Sequence, residues 1–566
     1  MINNEKIKNY IKEHTWIDFA LITIIIIVFT LLFAKHMQYP LIDKGREFFL
    51  SEQILKGKIP FKDITMIYFP FAYYINALIF KFLGVSIDSL VISQAFFCIG
   101  FAGCFYLLAK EFLSRSTSLL LSVLIISSSI FTPFDLFSYI MPYSYAAGFG
   151  FMSFTVCTYF LVKLFKTDNI KFAYFASLAA GFCLSCKMEF ASVLLLITIS
   201  LILYKKLQFP QYLKSLFFLC IFPAIEIGIL YFQGVTLQDI IPAVEFAKKF
   251  ATTHSMTTFL SNIGMYPLEM YWKLRVIILN TPFAINIAIL SFVTFLIYKK
   301  YNFKIIFVLS SIYMWCGFIY NESLFYCWTG LPMLMFLIFC IFCKRLYNED
   351  KAFLVLMLGA ILISQRVFFC LNMLSYGTLP LPLILLALFT TIDRFCPKQI
   401  MDIKTKYIIS YILIILIGLY SFSLYQYSRY KTNRELKSDK GTIYVSIENY
   451  ALLSAALNKI NSNIDKKKKM IVLPEGNILN FMTGRSADLH CFIIDKFYYA
   501  AYGEGDKLKD VINKKTDNDY VVIVRSPDIA NDIEITKDYF ESYTVKVNYF
   551  NNIFKYTVEI LEKNKK

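Results

Sequence analysis

Charge is scarce in this sequence. Asp, Glu, Lys and Arg make up 17% of its 566 residues, where an ordinary soluble domain carries about 25%. That excludes a soluble globular chain over most of the length. Cys183 and Cys186 form a C-x-x-C with no histidine cluster near it, so neither a zinc nor a redox site is read from it. The 13 cysteines fall mostly inside apolar runs, as at Cys98, Cys104, Cys157, Cys220 and Cys340, where cysteine behaves as a small apolar residue. No nucleic-acid motif accompanies the net charge of +17. No internal repeat or low-complexity linker interrupts the chain. No cleavable leader is evident either, because the first apolar run is too long, lacks a small-residue cleavage site and is followed by further runs.

What is abundant is apolar surface, at 57% hydrophobic and 18% aromatic residues. Apolar runs recur over residues 17–425, each suited to a hydrocarbon core about 30 Å thick at about 20 residues per crossing. The fold class is therefore mainly α and polytopic. Lys and Arg gather between the runs, for example at Lys110/Arg115, Lys205/Lys206, Lys344/Arg345 and Arg394/Lys398. Cytoplasmic loops carry this excess, so the chain goes out and returns between successive clusters. That gives about 13 spans, from residues 16–35 to residues 406–425. The odd count sends the C-terminal part outside. The external loops are then 36–87, 133–143 and 233–282. The apolar segment 68–84, "YFPFAYYINALIFKFLG", is short, starts at a proline and carries Lys81. It reads as a helix lying along the interface.

Two regions follow: residues 1–430 as the membrane part and residues 431–566 as a small external α/β domain. In the latter, "KMIVLPEG" and "DYVVIVRS" are short β-rich runs, and "YALLSAALNKI" has helical period. "YTVKVNYFNNIFKYTVEI" reads as two strands around an Asn-Asn turn. "IVLPEGNILNFMTGR" (471–485) places Glu475 and Arg485 in a strand, a turn and a short helix, either as turn residues or as acceptor contacts.

Charge near a bilayer is costly, so the charges that do occur are informative. The first loop carries "YPLIDKGREFFLSEQILKGKIPFKDI" (39–64). Asp43 and Glu47 are four apart and share a face if a helix starts at Asp43. Asp43 is then an N-cap with Glu47 favouring the helix dipole, or a general base at the membrane surface. "FTPFDLFSYIMPYS" puts Asp135 in the second external loop, as a turn residue or a second acidic site. "CLSCKMEFAS" puts Lys187 and Glu189 at an outer turn between spans, as a neutralising pair or with Lys187 as a point charge for a phosphate. "MYPLEMYWKLRVIILNTP" offers Glu269, Lys273 and Arg275, as snorkelling cations or part of a lipid-phosphate cradle. Arg366, in "ILISQRVFFCLNMLSYG", is the most isolated cation and suits a phosphate.

The order of features in residues 40–145 resembles the first external loop of the GT-C glycosyltransferases, in the bacterial branch similar to protein mannosyltransferases and aminoarabinose transferases. An acidic residue follows the first span, then an amphipathic helix, a Gly-x-x-Pro segment at Gly57–Pro60, and a Pro/Tyr-rich juxtamembrane helix with Pro70, Tyr73, Tyr74 and Gly84. The resemblance implies a multi-pass protein of the cell membrane with its C-terminal domain extracytoplasmic. It implies inverting transfer of a sugar from a polyprenyl-phosphate donor to a lipid, glycan or protein acceptor. Asp43 would be the base, assisted by Glu47 and Asp135. Lys187, Glu189, Arg275, Arg366 and Tyr74 would serve substrate binding. Where the family often has two adjacent acidic residues, this chain has D-K-G-R-E, which does not support a metal-binding carboxylate pair, and a lipid-phosphate leaving group does not demand a cofactor. Two other readings stand beside it: a transporter or flippase without covalent chemistry, and a noncatalytic assembly subunit. One external cavity containing Asp43, Asp135 and Lys187 favours the enzyme. Charges strung along a membrane-crossing path favour transport.

Overall fold

The computed structural model describes residues 15–132, 135–266, 331–369, 376–395, 431–503, 506–515, 517–525 and 537–564. Helix α1 (Thr15–Phe33) is apolar nearly all round, with Leu31 81% and Ile24 57% exposed. Side chains of this kind are stable only against hydrocarbon. Its buried exception is Asp18. Arg115 donates to both Asp18 oxygens, Nε at 2.6 Å and Nη2 at 2.9 Å, and the Tyr106 hydroxyl donates as well. A buried carboxylate without such partners would be strongly destabilising.

The first loop, residues 36–87, holds α2 (Lys44–Leu55) and α3 (Phe71–Leu83). The 13 residues of α3 extend about 20 Å, too short for a core about 30 Å thick. Then come α4 (Ile87–Lys110), α5 (Arg115–Ile125), α6 (Tyr145–Thr167), α7 (Lys171–Cys186), α8 (Ser192–Tyr204) and α9 (Phe209–Phe232). Gly181 lets α7 lie directly on α9, since a Cβ there would sit 2.1 Å from the Leu219 carbonyl oxygen. Helices α10 (Leu237–Thr252) and α11 (His254–Ile263) follow, then α12 (Leu331–Glu349), α13 (Lys351–Ile363) and α14 (Leu381–Phe395). Among the described residues, α1, α4, α6 and α9 are long and apolar enough to cross a membrane, and several other apolar helices are shorter. The expected spans at 283–298, 303–320 and 406–425 lie outside the described residues.

The basic clusters meet one another. Lys205 stands over the Tyr347 ring at 5.7 Å, and the Lys351 ammonium donates to the Leu203 carbonyl. These contacts join the C-terminal end of α8 to the start of α13. Lys187, Glu189 and Arg366 flank the other ends of those helices.

The C-terminal region starts with an antiparallel hairpin, β1 (Arg434–Ser438) and β2 (Gly441–Val445), and α15 (Ile447–Asn463). A four-stranded sheet is ordered β3-β4-β6-β5. It comprises β3 (Met470–Leu473), β4 (Tyr520–Arg525), β5 (Tyr543–Asn551) and β6 (Tyr556–Lys563). β3 and β4 run parallel, as a crossover connection requires, with Met470 opposite Tyr520. The crossover carries α16 (Asn477–Thr483), α17 (Lys496–Tyr502) and α18 (Asp506–Lys515).

This domain is fastened to the first loop along its length. The Met37 N–H donates to Tyr444 O at 2.8 Å and the Tyr444 N–H to Lys35 O at 2.9 Å; Thr65 N–H donates to Leu489 O at 3.1 Å. Lys440 pairs with Glu52. A Cβ at Gly45 would lie 2.3 Å from the Ile478 backbone nitrogen, so only glycine permits α2 to seat on α16. Helix α2 is polar yet buried from Lys44 to Ile54, because its charges find partners in this joint.

Candidate active site

Asp43 opens α2, but not as a capping side chain. Its carboxylate makes no cap hydrogen bond. Its backbone sits at φ 57°, ψ −60°, and the Lys44 N–H donates to the Ile42 carbonyl at 2.6 Å. This is a γ-turn of the rare, strained form. The turn aims the carboxylate at Arg46, whose Nη2 donates to Oδ1 at 2.6 Å. The Asp43 side chain keeps 27% of its surface exposed, against 9% for Arg46.

Arg46 is ringed by acids. Besides Asp43 it lies 4.0 Å from Glu47 Oε1 and 3.9 Å from Glu475 Oε1. Glu47 is 1% exposed and closed off. Oε1 accepts from the Tyr73 hydroxyl at 2.9 Å and lies 3.5 Å from the Tyr68 hydroxyl, and Oε2 accepts from the Tyr145 N–H at 3.0 Å. Burial pushes the Glu47 carboxyl above the usual range. Asp43 keeps part of its surface open, whereas Glu47 is a brace between α2, α3 and the start of α6.

A second cluster adjoins this one. The Lys187 ammonium donates to the Tyr143 hydroxyl at 3.1 Å and lies 3.6 Å from Glu189 Oε1. Arg366 donates to Glu189 Oε2, and the Tyr376 hydroxyl donates to Glu189 Oε1 at 2.8 Å. Arg366 also stacks over the Tyr376 ring at 4.6 Å. The reading of Arg366 as an isolated cation is corrected here: Glu189, 177 residues away in sequence, is its partner, as a buried guanidinium requires. Two cations share one carboxylate, so the cluster keeps a net positive charge.

Tyr68 joins the clusters. Its hydroxyl is 2.9 Å from that of Tyr73, and Lys187 stands 5.3 Å from its ring centre. Asp135 begins a short helical turn, Asp135–Phe137. That turn packs by the same cluster: Phe137 meets the Tyr143 and Tyr376 rings at 5.7 and 6.2 Å. Tyr74 is not brought in, since its hydroxyl donates to Gln233 Oε1 at 2.5 Å on α9's side. Arg275, with Glu269 and Lys273, lies outside the described residues.

Sequence reasoning missed Asp495 and gave Glu475 no firm part. Asp495 caps α17, accepting from the Phe497 and Tyr498 N–H groups at 2.9 and 2.8 Å. Burial pushes its carboxyl up to about 6. No local pattern marks either residue, because both lie in an ordinary polar domain. Arg485 proves structural: it is buried, donates to Asn461 Oδ1 at 2.9 Å, and also donates to the Ile464 carbonyl. Among the described residues no three His, Cys, Asp or Glu side chains gather at metal-binding spacing.

An apolar groove of about 500 Å3 lies along α4, α6 and α7, lined by Phe96, Phe97, Phe149, Phe182 and Phe222 among others. Phe149 contacts the Tyr145 ring at 6.0 Å, and the Tyr145 N–H is held by Glu47. Phe149 and Tyr145 thus pack between the groove and Glu47.

The class defined so far is a multi-helix membrane protein with a docked α/β domain and a mixed-charge site at the joint. Among solved structures the chain is similar to ArnT from Cupriavidus metallidurans bound to undecaprenyl phosphate, with 10% identity, 96% of this chain and 97% of that chain covered, and a TM-score of 0.47. Its apo state gives the same identity and coverage with a TM-score of 0.49. The chain is also similar to the archaeal oligosaccharyltransferase AglB from Archaeoglobus fulgidus in complex with an inhibitory peptide and a dolichol-phosphate. There the identity is 11%, the coverage 97% of this chain and 74% of that chain, and the TM-score 0.44. No family model matches the chain, and no curated protein matches it in sequence. The roles argued below rest on the geometry of the site itself.

Proposed function

We propose that this protein is a membrane glycosyltransferase that moves a sugar from a polyprenyl-phosphate donor to an acceptor bound beside the C-terminal domain, with inversion at the anomeric carbon. The observation that carries this reading is the meeting of three environments at one place. An apolar groove has Phe149 in its wall, against the Tyr145 ring, a net positive cluster lies across Tyr68, and a partly exposed carboxylate stands at Asp43. A lipid phosphate sugar needs all three: a dry channel for its tail, cations for its phosphate and a base for the incoming nucleophile.

Asp43 takes the proton of an acceptor hydroxyl or amine as that atom bonds to the anomeric carbon. The bond from that carbon to the phosphate oxygen breaks, and its electron pair stays on the lipid phosphate. Lys187 and Arg366 stabilise the charge that builds there, with Glu189 fixing their positions. Glu47 holds α2 in register with α3 and α6. Asp135 assists on the acceptor side. In a transporter, ionisable groups line a path through the bilayer. Here Asp43, Arg46, Glu47, Lys187, Glu189 and Arg366 form one connected group through Tyr68 and Tyr73, which supports chemistry over passage. The test is a membrane assay with radiolabelled polyprenyl-phosphate sugars, comparing wild type with Asp43→Asn. Equal transfer by both would refute the base assignment.

A further inference from the structure

The Asp43 backbone is held from two directions. Its carbonyl oxygen accepts from the Arg46 and Glu47 N–H groups at 3.0 and 3.4 Å, inside its own helix. Its N–H donates to Glu475 Oε1 at 2.8 Å, across 432 residues of sequence. Glu475 follows β3 in the C-terminal domain and is 4% exposed. The same oxygen lies 3.9 Å from Arg46 Nη1, so one side chain touches both the backbone of Asp43 and the cation that its carboxylate binds. A residue at positive φ in a tight turn is strained and persists only where its surroundings over-determine it. Here an essential part of those surroundings belongs to another domain.

We propose that Glu475 is a positioning residue for Asp43, and that the C-terminal domain, by docking α16 on α2, sets the catalytic turn into its working conformation. This rests on Asp43 being the base. Transfer is then conditional on a docked C-terminal domain, and that domain is part of the active site. Gly45 supplies the close approach the joint needs. Burial, and next the nearby Asp43 charge, push the Glu475 carboxyl well above the ordinary range. A neutral carboxyl still accepts the Asp43 N–H through its carbonyl oxygen, so glutamine mimics it.

The experiment compares Glu475→Ala, Glu475→Gln and Glu475→Asp in the full-length protein in detergent or vesicles. The first readout is amide exchange of the peptide over residues 41–47. Exchange speeds up in the Ala and Asp variants and not in the Gln variant, because only glutamine keeps an acceptor at that reach. The second is kinetics with a radiolabelled polyprenyl-phosphate sugar. Glu475→Ala lowers kcat by about 10- to 100-fold with donor KM within about twofold, as a misplaced base should, and Glu475→Gln restores most of it. Glu475→Asp keeps the carboxyl but withdraws the oxygen by one methylene, so it behaves as Ala does and carries the test should the Ala variant not fold. Unchanged exchange, unchanged kcat in Glu475→Ala, or equal losses in Ala and Gln would overturn the proposal. If Asp43→Asn transfers sugar normally, the base reading fails, and the exchange data still decide whether Glu475 holds the turn.

Discussion

The Lys187 ammonium stands 5.3 Å from the centre of the Tyr68 ring. That contact links the carboxylate cluster on α2 with the cationic cluster between α7 and α8. A desolvated cation–π pair is worth about 0.5–2 kcal/mol. Tyr68→Phe keeps the ring, so it should change transfer little. Tyr68→Ala removes the ring and should weaken transfer by about 2- to 30-fold through donor KM. Steady-state kinetics of the two variants checks this, and equal behaviour of Phe and Ala would mean that the ring has no part in holding Lys187.

The Arg366–Glu189 pair separates structure from chemistry. Arg366→Ala removes one of the two cations on Glu189, which keeps Lys187 and Tyr376, and should destabilise the protein by about 1.5–3 kcal/mol, the loss of a charge-assisted hydrogen bond. In Arg366→Met combined with Glu189→Gln, neither charge of the pair remains and the glutamine oxygen stays in reach of Lys187, so the thermal midpoint should recover toward wild type. Transfer should not recover, because Arg366 also serves the leaving phosphate. Recovery of both in the double variant would show Arg366 to be only the partner of Glu189.

Much of the architecture was legible because charge and apolar runs carry opposite costs in a membrane. The strands at Met470–Leu473 and Tyr520–Arg525, the hairpin around Asn551, and the helix Ile447–Asn463 match the sequence reading. The hairpin Arg434–Val445 was not foreseen, because "RELKSDKGTIYV" has weak alternation. It is supported by docking, with the Tyr444 N–H bonded to Lys35 O and its ring stacked on His36 at 4.8 Å. Asp43, Lys187 and Arg366 stood out as charges in apolar surroundings. Their partners did not, since Glu475 and Glu189 join them only through folding across hundreds of residues. Tyr74 was read with Tyr73, yet adjacent residues on a helix point about 100° apart, and it turns to Gln233.

Asp495 gives a pH signature. Burial holds its carboxyl at about 6 in the folded protein, against an ordinary 3.8. The folded state therefore keeps a proton that the unfolded chain has already lost. The stability this supplies is complete below about pH 4 and disappears as pH rises through about 6, a difference of roughly 2–3 kcal/mol at neutrality. Asp495→Asn still caps α17 and has no proton to lose. Thermal midpoints of both proteins from about pH 4.5 to 7.5 should shift in favour of the Asn variant as pH rises. A constant difference across that range would contradict the assignment.

The central claim is that Asp43 is the base. Asp43→Asn tests it most directly, because asparagine tolerates positive φ and keeps an oxygen for Arg46, while losing the ability to take a proton. The measurement is sugar transfer from a radiolabelled polyprenyl-phosphate donor in membranes containing matched amounts of folded wild type and variant. The account predicts a loss of about two to four orders of magnitude, the usual share of general-base catalysis, with an unchanged thermal midpoint. Transfer near the wild-type rate at equal folded protein would contradict it.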